Sequence, residues 1–321
     1  MSSVGRAQNI RERCETFLIF FTSYGLSSSP VTGEPNLPLM ELPVLVRLMG
    51  ALLLVGTPVS RAQTAAELNA RALAKLKEGN LGGAVDDFTA AIAQKPDAGY
   101  YASRGDVELT QGNYDGAISD FGEVVKAWPI QIKGYVLRGR VYLLKGDMDS
   151  AMKDFSRAIE LQPRNAMLRL YRGLVWDCMN NQQGAVEDFS KAVELAGSAD
   201  ETSDYAQLYR GLDLRRKGPA VDMELRDAAS WKNEWTRALA AYVSGKLAEA
   251  DFFRQAATDA DDEQGKNHRK AEAFYFAGRV HQLTGDKAGA RKDFLASVEL
   301  QPSVEVERKL ARVELDRMGA N

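Results

Sequence analysis

The sequence predicts an all-α fold, a right-handed superhelical solenoid of helical hairpins. The main observation is a set of small and aromatic residues that recurs with a period of 34 residues. The small series includes Gly105, Gly139 and Gly173. The aromatic series includes Phe121, Phe155 and Phe189. A period of this length is typical of stacked hairpins, because one hairpin cannot bury its apolar face alone. The second observation is a helix breaker inside each copy.

The copy at residues 134–163 shows how one unit folds. Gly139 and Ala151 are small where two antiparallel helices must approach closely. Gly146 ends the first helix, and the proline at the end of the unit closes the second helix, since it lacks an amide donor. Phe155 fills the space that the small residues leave. This spacing resembles the tetratricopeptide repeat consensus, which implies a concave face lined by first helices that binds proteins or peptides.

Before the repeats lie two segments with other patterns. Residues 1–39 carry no repeat spacing, and we expect them to be disordered or not translated, with Met40 as the true start. Residues 40–62 have the layout of a secretory signal, with an apolar core from Leu48 to Val59 and a small-x-small site ending at Ala62. The alternative is an uncleaved anchor or a buried apolar segment.

The rest of the chain divides by the quality of its repeats. We expect four regular hairpins at residues 63–197, degenerate hairpins at 198–265, a final regular hairpin at 266–302 and a capping helix at 303–321. We interpret 196–202 as a loop, 220–230 as a degenerate partner helix and 259–265 as a linker, and we expect Ala250 and Ala257 at the small-residue positions of the repeat. A polar terminal helix of this kind covers the exposed apolar end of a solenoid. No membrane span is expected in the mature chain.

Composition and motifs argue against several functions. The formal net charge of -3 provides no basic field, so we expect no nucleic-acid binding. No phosphate loop, nucleophile elbow or metal-ligand spacing occurs, so we expect no catalytic site, no metal and no cofactor. His281 occupies a position that is aromatic in a sister repeat, and Cys178 lies near a helix end. We expect both to pack as apolar groups.

A regular series of charges accompanies the repeats. An arginine precedes the small residue of five first helices, and an aspartate precedes the phenylalanine of five second helices; these residues are Arg71, Arg104, Arg138, Arg172 and Arg210, with Asp87, Asp120, Asp154, Asp188 and Asp293. We predict that these residues form partly buried pairs that fix the stacking register, with an anion-binding arginine stripe as the alternative. The clearest structural members are Arg104, Arg138, Arg172, Asp120, Asp154 and Asp188.

The family resemblance implies a partner-binding groove on the first helices. Its candidate residues are Asp106, Leu109, Lys133, Val136, Arg140, Leu143, Leu144, Leu170, Leu174, Asp177, Leu212, Arg215, Arg216, Tyr275 and Arg279. This mixture of apolar side chains and a few cations suits an extended or helical peptide with acidic groups. The alternative is that several of the leucines and valines only fill the inner wall. Asn69 and Leu73 do not match the carboxylate clamp of chaperone-binding relatives.

The C-terminal part has a narrower resemblance. Residues 208–218 and 273–286, LYRGLDLRRKG and AFYFAGRVHQLTGD, resemble Gram-negative envelope repeat lipoproteins, although the lipid-attachment cysteine is missing. Those lipoproteins are adaptors for peptidoglycan hydrolases and proteases. The resulting hypothesis is a non-catalytic scaffold in the bacterial cell envelope, periplasmic or secreted, with an envelope hydrolase or protease as its partner. The alternatives are an envelope enzyme with an unrecognised active site and a self-associating structural protein.

Overall fold

The computed structural model describes residues 63–197, 200–215, 225, 228–229, 231–258, 263–300 and 306–319. These residues form fourteen α-helices and no strand. The predicted segments at 1–39 and 40–62 lie outside the described residues, as does most of the partner helix expected at 220–230. Within the described residues, no helix has the length and apolarity that crossing a membrane requires.

The first eight helices form four hairpins that stack in order as a right-handed solenoid. Their bounds are α1 Ala65–Lys77, α2 Leu81–Gln94, α3 Ala98–Thr110, α4 Tyr114–Ala127, α5 Ile132–Lys145, α6 Met148–Leu161, α7 Ala166–Cys178 and α8 Gln182–Ala196. The remaining helices are α9 Glu201–Arg215, α10 Glu234–Val243, α11 Glu249–Thr258, α12 Glu263–Thr284, α13 Lys287–Glu299 and α14 Val306–Gly319.

Each tight turn inside a hairpin combines a left-handed residue with a helix cap. Gly146 has a φ of 95°, which a residue with a Cβ rarely adopts, and the Asp147 side chain then accepts a hydrogen bond from the Ser150 amide. Asn180 takes the glycine's place in the fourth hairpin with a φ of 58°. The turns therefore follow directly from the Gly-Asn and Gly-Asp pairs of the sequence.

The two helices of a hairpin meet where the repeat has its small residues. A Cβ on Gly105 would lie 2.8 Å from Phe121 Cε1, and a Cβ on Gly139 would lie 3.1 Å from Phe155 Cε1. The side chains of Phe121 and Phe155 are fully buried. The predicted close approach between the helices is thus present.

The C-terminal half differs from the regular pattern in two ways. Helix α12 begins at Glu263, inside the segment interpreted as a linker, because residues 263–270 contain several good helix formers and no proline. In helix α11, Ala250 and Ala257 were assigned to the small-residue positions of the repeat, but both are exposed. Phe252 is fully buried instead, and its ring stacks on Tyr242 with a centroid distance of 4.3 Å.

Helix α14 does more than cover the last hairpin. It packs on α13 and α12, and it also contacts α5. The hydroxyl of Tyr209 on α9 donates a hydrogen bond of 2.9 Å to Glu307, and Arg317 donates to the carbonyls of Asp177 and Cys178 at the end of α7. The C-terminal half therefore curves back onto the first helices of the third and fourth hairpins.

Candidate partner-binding cavity

A cavity of about 570 Å³ lies where this curvature brings four first helices and the terminal helix α14 together. Its walls come from α5, α7, α9, α12 and α14, together with Asp200 just before α9. The inner face of the solenoid is thus folded into a groove that a straight stack of hairpins would not form.

One wall of the cavity is apolar and belongs to α7. Met167, Leu170, Tyr171 and Leu174 follow one another at the spacing of a single helix face, so all four line the cavity. Met167 is 48% exposed and marks the open side. Val306 of α14 contributes a further apolar lining residue.

The other walls carry more negative than positive charge. Asp200, Glu201, Glu272 and Glu307 line the cavity. Arg140 is the single lysine or arginine among the lining residues that the structure describes, and its guanidinium lies 5.9 Å from the centroid of the Tyr171 ring. The expectation of a groove suited to acidic peptides therefore does not match these charges.

Glu272 is the most unusual group in the cavity wall. It is 1% exposed, and its Oε2 accepts a hydrogen bond of 2.7 Å from the indole nitrogen of Trp235. Its Oε1 is buried and has no hydrogen-bond partner. Burial, together with the charge of Glu307, raises the pKa of Glu272 to about 8, against the opposing effect of the Trp235 hydrogen bond. Close to neutral pH this carboxyl group therefore holds a proton.

Below the cavity, a buried arginine joins four helices. Arg279 of α12 is 1% exposed and lies 3.1 Å from the carboxylate of Asp177 on α7 and 3.2 Å from that of Asp213 on α9. It also lies 3.8 Å from Glu314 of α14 and donates a hydrogen bond of 2.8 Å to the hydroxyl of Tyr275. The repeat pattern predicted accessible groove positions for Asp177 and Arg279. The structure corrects this, because α14 covers both.

Several other predicted groove residues are also buried, so the expectation of an accessible position is corrected for them. They are Leu109, Leu143, Leu144, Leu212 and Tyr275. Each packs into one of the hydrophobic clusters between neighbouring hairpins or, for Leu212 and Tyr275, into the large cluster of the C-terminal half. The alternative, that leucines of this set fill the inner wall, describes them better.

The remaining predicted groove residues have different positions. Arg140 and Leu170 line the cavity, and Leu174 lies in the same wall but is 3% exposed, so its expected accessible position is corrected too. Asp106 and Lys133 are exposed outside it, and Val136 packs beside α6 and α7. Arg215 donates a hydrogen bond of 2.7 Å to the carbonyl of Val243. Arg216 lies outside the described residues. A role in partner binding stays a prediction for the accessible members.

The acidic members of the cavity were not predicted from the repeat pattern. Asp200 and Glu201 lie in a segment interpreted as a loop between hairpins, and Glu307 lies on the helix interpreted as a cap. The one available signal was at Glu272, a carboxylate between Ala271 and Ala273 in a first helix. A charged residue between two small residues that face the core indicates a buried ionisable group.

The predicted arginine–aspartate pairs are present in the regular hairpins. Arg104 and Asp120, Arg138 and Asp154, and Arg172 and Asp188 each make two hydrogen bonds of 2.6 to 2.9 Å. All three pairs lie within one hairpin. In the first hairpin, the hydrogen bond from Arg71 lowers the pKa of Asp87 to about 2.

The arginines also reach the preceding hairpin. Arg104 donates a hydrogen bond of 2.9 Å to Thr89, and Arg172 donates one of 3.3 Å to Ser156. Thr89 and Ser156 each follow an aspartate of the series by two residues. The register between hairpins is thus supported by a hydroxyl contact, while the ion pair itself closes a single hairpin.

His281 differs from its predicted role as a packed ring. Its Nδ1 lies 2.7 Å from Asp293, and its Nε2 lies 3.3 Å from Glu249. In the last hairpin, Ala277 occupies the position that an arginine has in the four regular hairpins. His281 therefore interacts with Asp293 in place of that arginine. Cys178 is packed as expected, and burial raises the pKa of its thiol to about 12. No group of three or more potential metal ligands occurs among the described side chains.

Comparisons with known proteins agree with this architecture. The tetratricopeptide repeat family matches residues 69–132, 132–165 and 271–304. A tetratricopeptide repeat protein from Parabacteroides merdae ATCC 43184 has a similar structure, with a TM-score of 0.52 and 17% identity over 78% of this chain and 98% of that chain. Comparison with curated proteins found no significant match.

Two more solved structures share less of the fold. MamA from Desulfovibrio magneticus RS-1 gives a TM-score of 0.47 with 18% identity, over 52% of this chain and 93% of that chain. The C-terminal part of a repeat protein from Cytophaga hutchinsonii gives 0.44 with 14% identity, over 81% and 91%. At these identities, the similarity concerns the fold alone. From these matches and its stacked hairpins, the chain contains tetratricopeptide repeats at residues 69–165 and 271–304.

Proposed function

We propose that this chain is a non-catalytic scaffold that docks a peptide segment of a partner protein in the cavity of α5, α7, α9, α12 and α14. Tetratricopeptide repeats are generally protein-interaction scaffolds, and the fold supports that role. The cavity is the observation that carries the proposal. Its α7 wall offers four apolar contacts at helical spacing, and polar side chains converge from the opposite side. Apolar walls with a few convergent polar groups suit a bound peptide.

Variants at the open side of the cavity test this proposal. A protein beginning at Gln63 would be used to capture partners from the native host, beside Met167→Glu. Met167 is exposed, so its substitution should leave the fold intact while placing a charge against the docked segment. Ile130→Glu is the matched control, since Ile130 is 79% exposed and lies outside the cavity. Specific loss with Met167→Glu supports docking in the cavity, and equal recovery with all three proteins contradicts it.

We place this scaffold in the bacterial cell envelope, as a periplasmic or secreted protein. Support comes from residues 40–62, which have the layout of a secretory signal. Fractionation followed by N-terminal sequencing tests the location. A mature protein that begins at or near Gln63 in the periplasm or medium is the expected result. A protein that retains residues 40–62 in the cytoplasm would contradict it.

An envelope hydrolase or protease is the partner class we propose within that setting. This choice is supported by the likeness of residues 208–218 and 273–286 to envelope adaptors of such enzymes. Mass spectrometry of the proteins captured by the wild type and lost by Met167→Glu would identify the class. Recovery of partners from another class alone would refute this assignment and leave the docking proposal in place.

A further inference from the structure

The charges of the cavity indicate which side chain a docked segment presents. We propose that the cavity binds a lysine or arginine side chain of the partner segment, while apolar residues beside it pack on the α7 wall. This inference rests on the proposed docking function and names the chemistry of the ligand. It reverses the acidic-peptide expectation obtained from the sequence.

Four carboxyl groups from three separate parts of the chain converge on the cavity. Asp200 and Glu201 lie at the start of α9, Glu272 on α12 and Glu307 on α14. Asp200 and Glu201 are exposed, so a ligand can reach them. Asn233 donates a hydrogen bond of 2.7 Å to Glu201, and Tyr209 donates one of 2.9 Å to Glu307. Both donors are uncharged, and they hold the two carboxylates in place.

Glu272 adds to this acidic set a buried oxygen without a hydrogen bond, which can accept one from a ligand once the carboxyl group loses its proton. The Trp235 indole occupies one of its oxygens at 2.7 Å, and the other, Oε1, is buried without a hydrogen bond. A buried polar atom without a partner destabilises the protein, so donation from a ligand is favourable. An ammonium or guanidinium group can supply this hydrogen bond together with a compensating charge.

The pKa of Glu272 is consistent with a cationic ligand. It is raised to about 8 in the empty cavity by burial and by Glu307. A nearby cation favours the ionised carboxylate, so binding would lower this pKa again. Without a ligand, the Glu272 carboxyl group can therefore stay protonated and uncharged. It ionises when a bound cation supplies the opposite charge.

The aromatic lining also accepts a cation. Tyr171, Tyr205 and Tyr209 all line the cavity. Arg140 already lies over the Tyr171 ring, which shows that this ring contacts a guanidinium. Burial and the charges of Glu272 and Glu307 raise the pKa of Tyr205 well above its ordinary value, so its hydroxyl stays neutral. Arg140 provides one positive charge against the carboxylates, and the lining remains net negative when they are ionised.

Peptide selection tests this inference directly. The chain beginning at Gln63 would be used to select binders from a displayed library of random linear peptides. We expect enriched peptides to share a lysine or arginine between apolar residues. Affinities of an enriched peptide, and of versions with glutamine or glutamate at that position, would be measured by fluorescence polarisation. The glutamine and glutamate versions should bind more weakly, in that order.

Protein variants connect the selected charge to the cavity. The double variant Glu201→Gln with Glu307→Gln keeps both acceptors, and it should bind the cationic peptide roughly tenfold more weakly. The control is Glu194→Gln with Glu234→Gln, an equal charge change at side chains outside the cavity. It should leave affinity within about twofold. Arg140→Gln should bind the cationic peptide equally or more tightly. Circular dichroism would check that every variant is folded.

The outcomes separate this inference from the docking proposal. Acidic or uncharged peptides that bind the wild type and lose binding in Met167→Glu would overturn the cation inference and retain docking. Cationic peptides that tolerate Glu201→Gln with Glu307→Gln would overturn it too. A selection that yields no peptide sensitive to Met167→Glu or to Met167→Lys would contradict docking itself.

Discussion

Glu272 places a protonated carboxyl group inside the cavity wall at neutral pH, and this has a measurable effect on stability. Its pKa rises from 4.5 to about 8 on folding, so between these values the native chain binds more protons than the unfolded chain. Stability therefore decreases as pH rises through this range, by up to roughly 1 kcal/mol per pH unit. His268, Tyr205, Trp235 and Glu307 surround the group and set this behaviour.

Glu272→Gln should remove this pH dependence. The amide oxygen can still accept from Trp235, and no proton is bound or released. We expect the variant to gain stability over the wild type progressively from about pH 5 to pH 8, with equal stability below pH 4.5. Urea unfolding at several pH values measures this. Parallel curves for the two proteins would show that Glu272 does not titrate as described.

Gly122 is a position where the hydroxyl contact between hairpins is missing and can be introduced by substitution. It occupies the position that Thr89 and Ser156 fill in other hairpins, and a Cβ there would lie 3.8 Å from Nη1 of Arg138. Gly122→Ser should therefore supply the missing acceptor. Gly122→Ala is the matched control, because it changes helix propensity without adding a hydroxyl.

A double-mutant cycle measures the coupling free energy between the side chain at position 122 and the pair of Arg138 with Asp154. Both substitutions would be compared in the wild type and in a background with Arg138→Met and Asp154→Asn. We expect serine to couple to Arg138 by about 0.5 to 1 kcal/mol and alanine by close to zero. Chemical unfolding provides the four stabilities of each cycle. Equal coupling for serine and alanine would mean that the hydroxyl contact contributes nothing.

Within single helices and hairpins, the sequence predicted most of what is observed. The period located the small residues, the buried phenylalanines and the glycine turns, because each has one physical role within its own unit. It also indicated the arginine–aspartate pairs, which lie within one hairpin. The prediction was wrong where the repeat pattern is degenerate. In α11, the pattern was assigned to Ala250 and Ala257, whereas Phe252 carries the buried contact.

The glycines between paired helices should tolerate a methyl group unequally. A Cβ on Gly173 would lie 2.5 Å from Phe189 Cε1, compared with 3.1 Å for Gly139 and Phe155. We expect Gly173→Ala to destabilise the chain by about 1 to 3 kcal/mol through overpacking. Gly139→Ala should stay within about 1 kcal/mol of the wild type, because higher helix propensity offsets a milder clash. Thermal and urea unfolding measure both, and equal effects would contradict this packing argument.

For the molecule as a whole, the decisive feature is the curvature of the C-terminal half, which the repeat pattern did not contain. Arg279, Asp177 and Glu314 belong to different repeats, and sequence spacing does not indicate that they meet. The same curvature buries Tyr275 and Leu212 and forms the cavity. The candidate site could be predicted only in part, as Arg140, Leu170 and Leu174, because its acidic side comes from segments outside the regular repeats.

Arg279 should be essential to this closure. Arg279→Met would leave Asp177 and Asp213 buried without this guanidinium, and we expect a loss of about 3 to 5 kcal/mol. Arg157→Met is the control, since the pair of Arg157 with Glu160 is exposed and should cost less than about 1 kcal/mol. Hydrogen exchange should show lost protection in α14 and at the end of α7. Unchanged exchange there would show that Arg279 does not hold these helices together.

The central claim is that a partner occupies the cavity of α5, α7, α9, α12 and α14. Photo-crosslinking in the native host tests it most directly, with a photoactivatable amino acid at position 167 on the open side and, separately, at position 130 outside the cavity. The account predicts a discrete cross-linked protein from position 167 and none of that mass from position 130. The same products from both positions, or none from position 167, would contradict it.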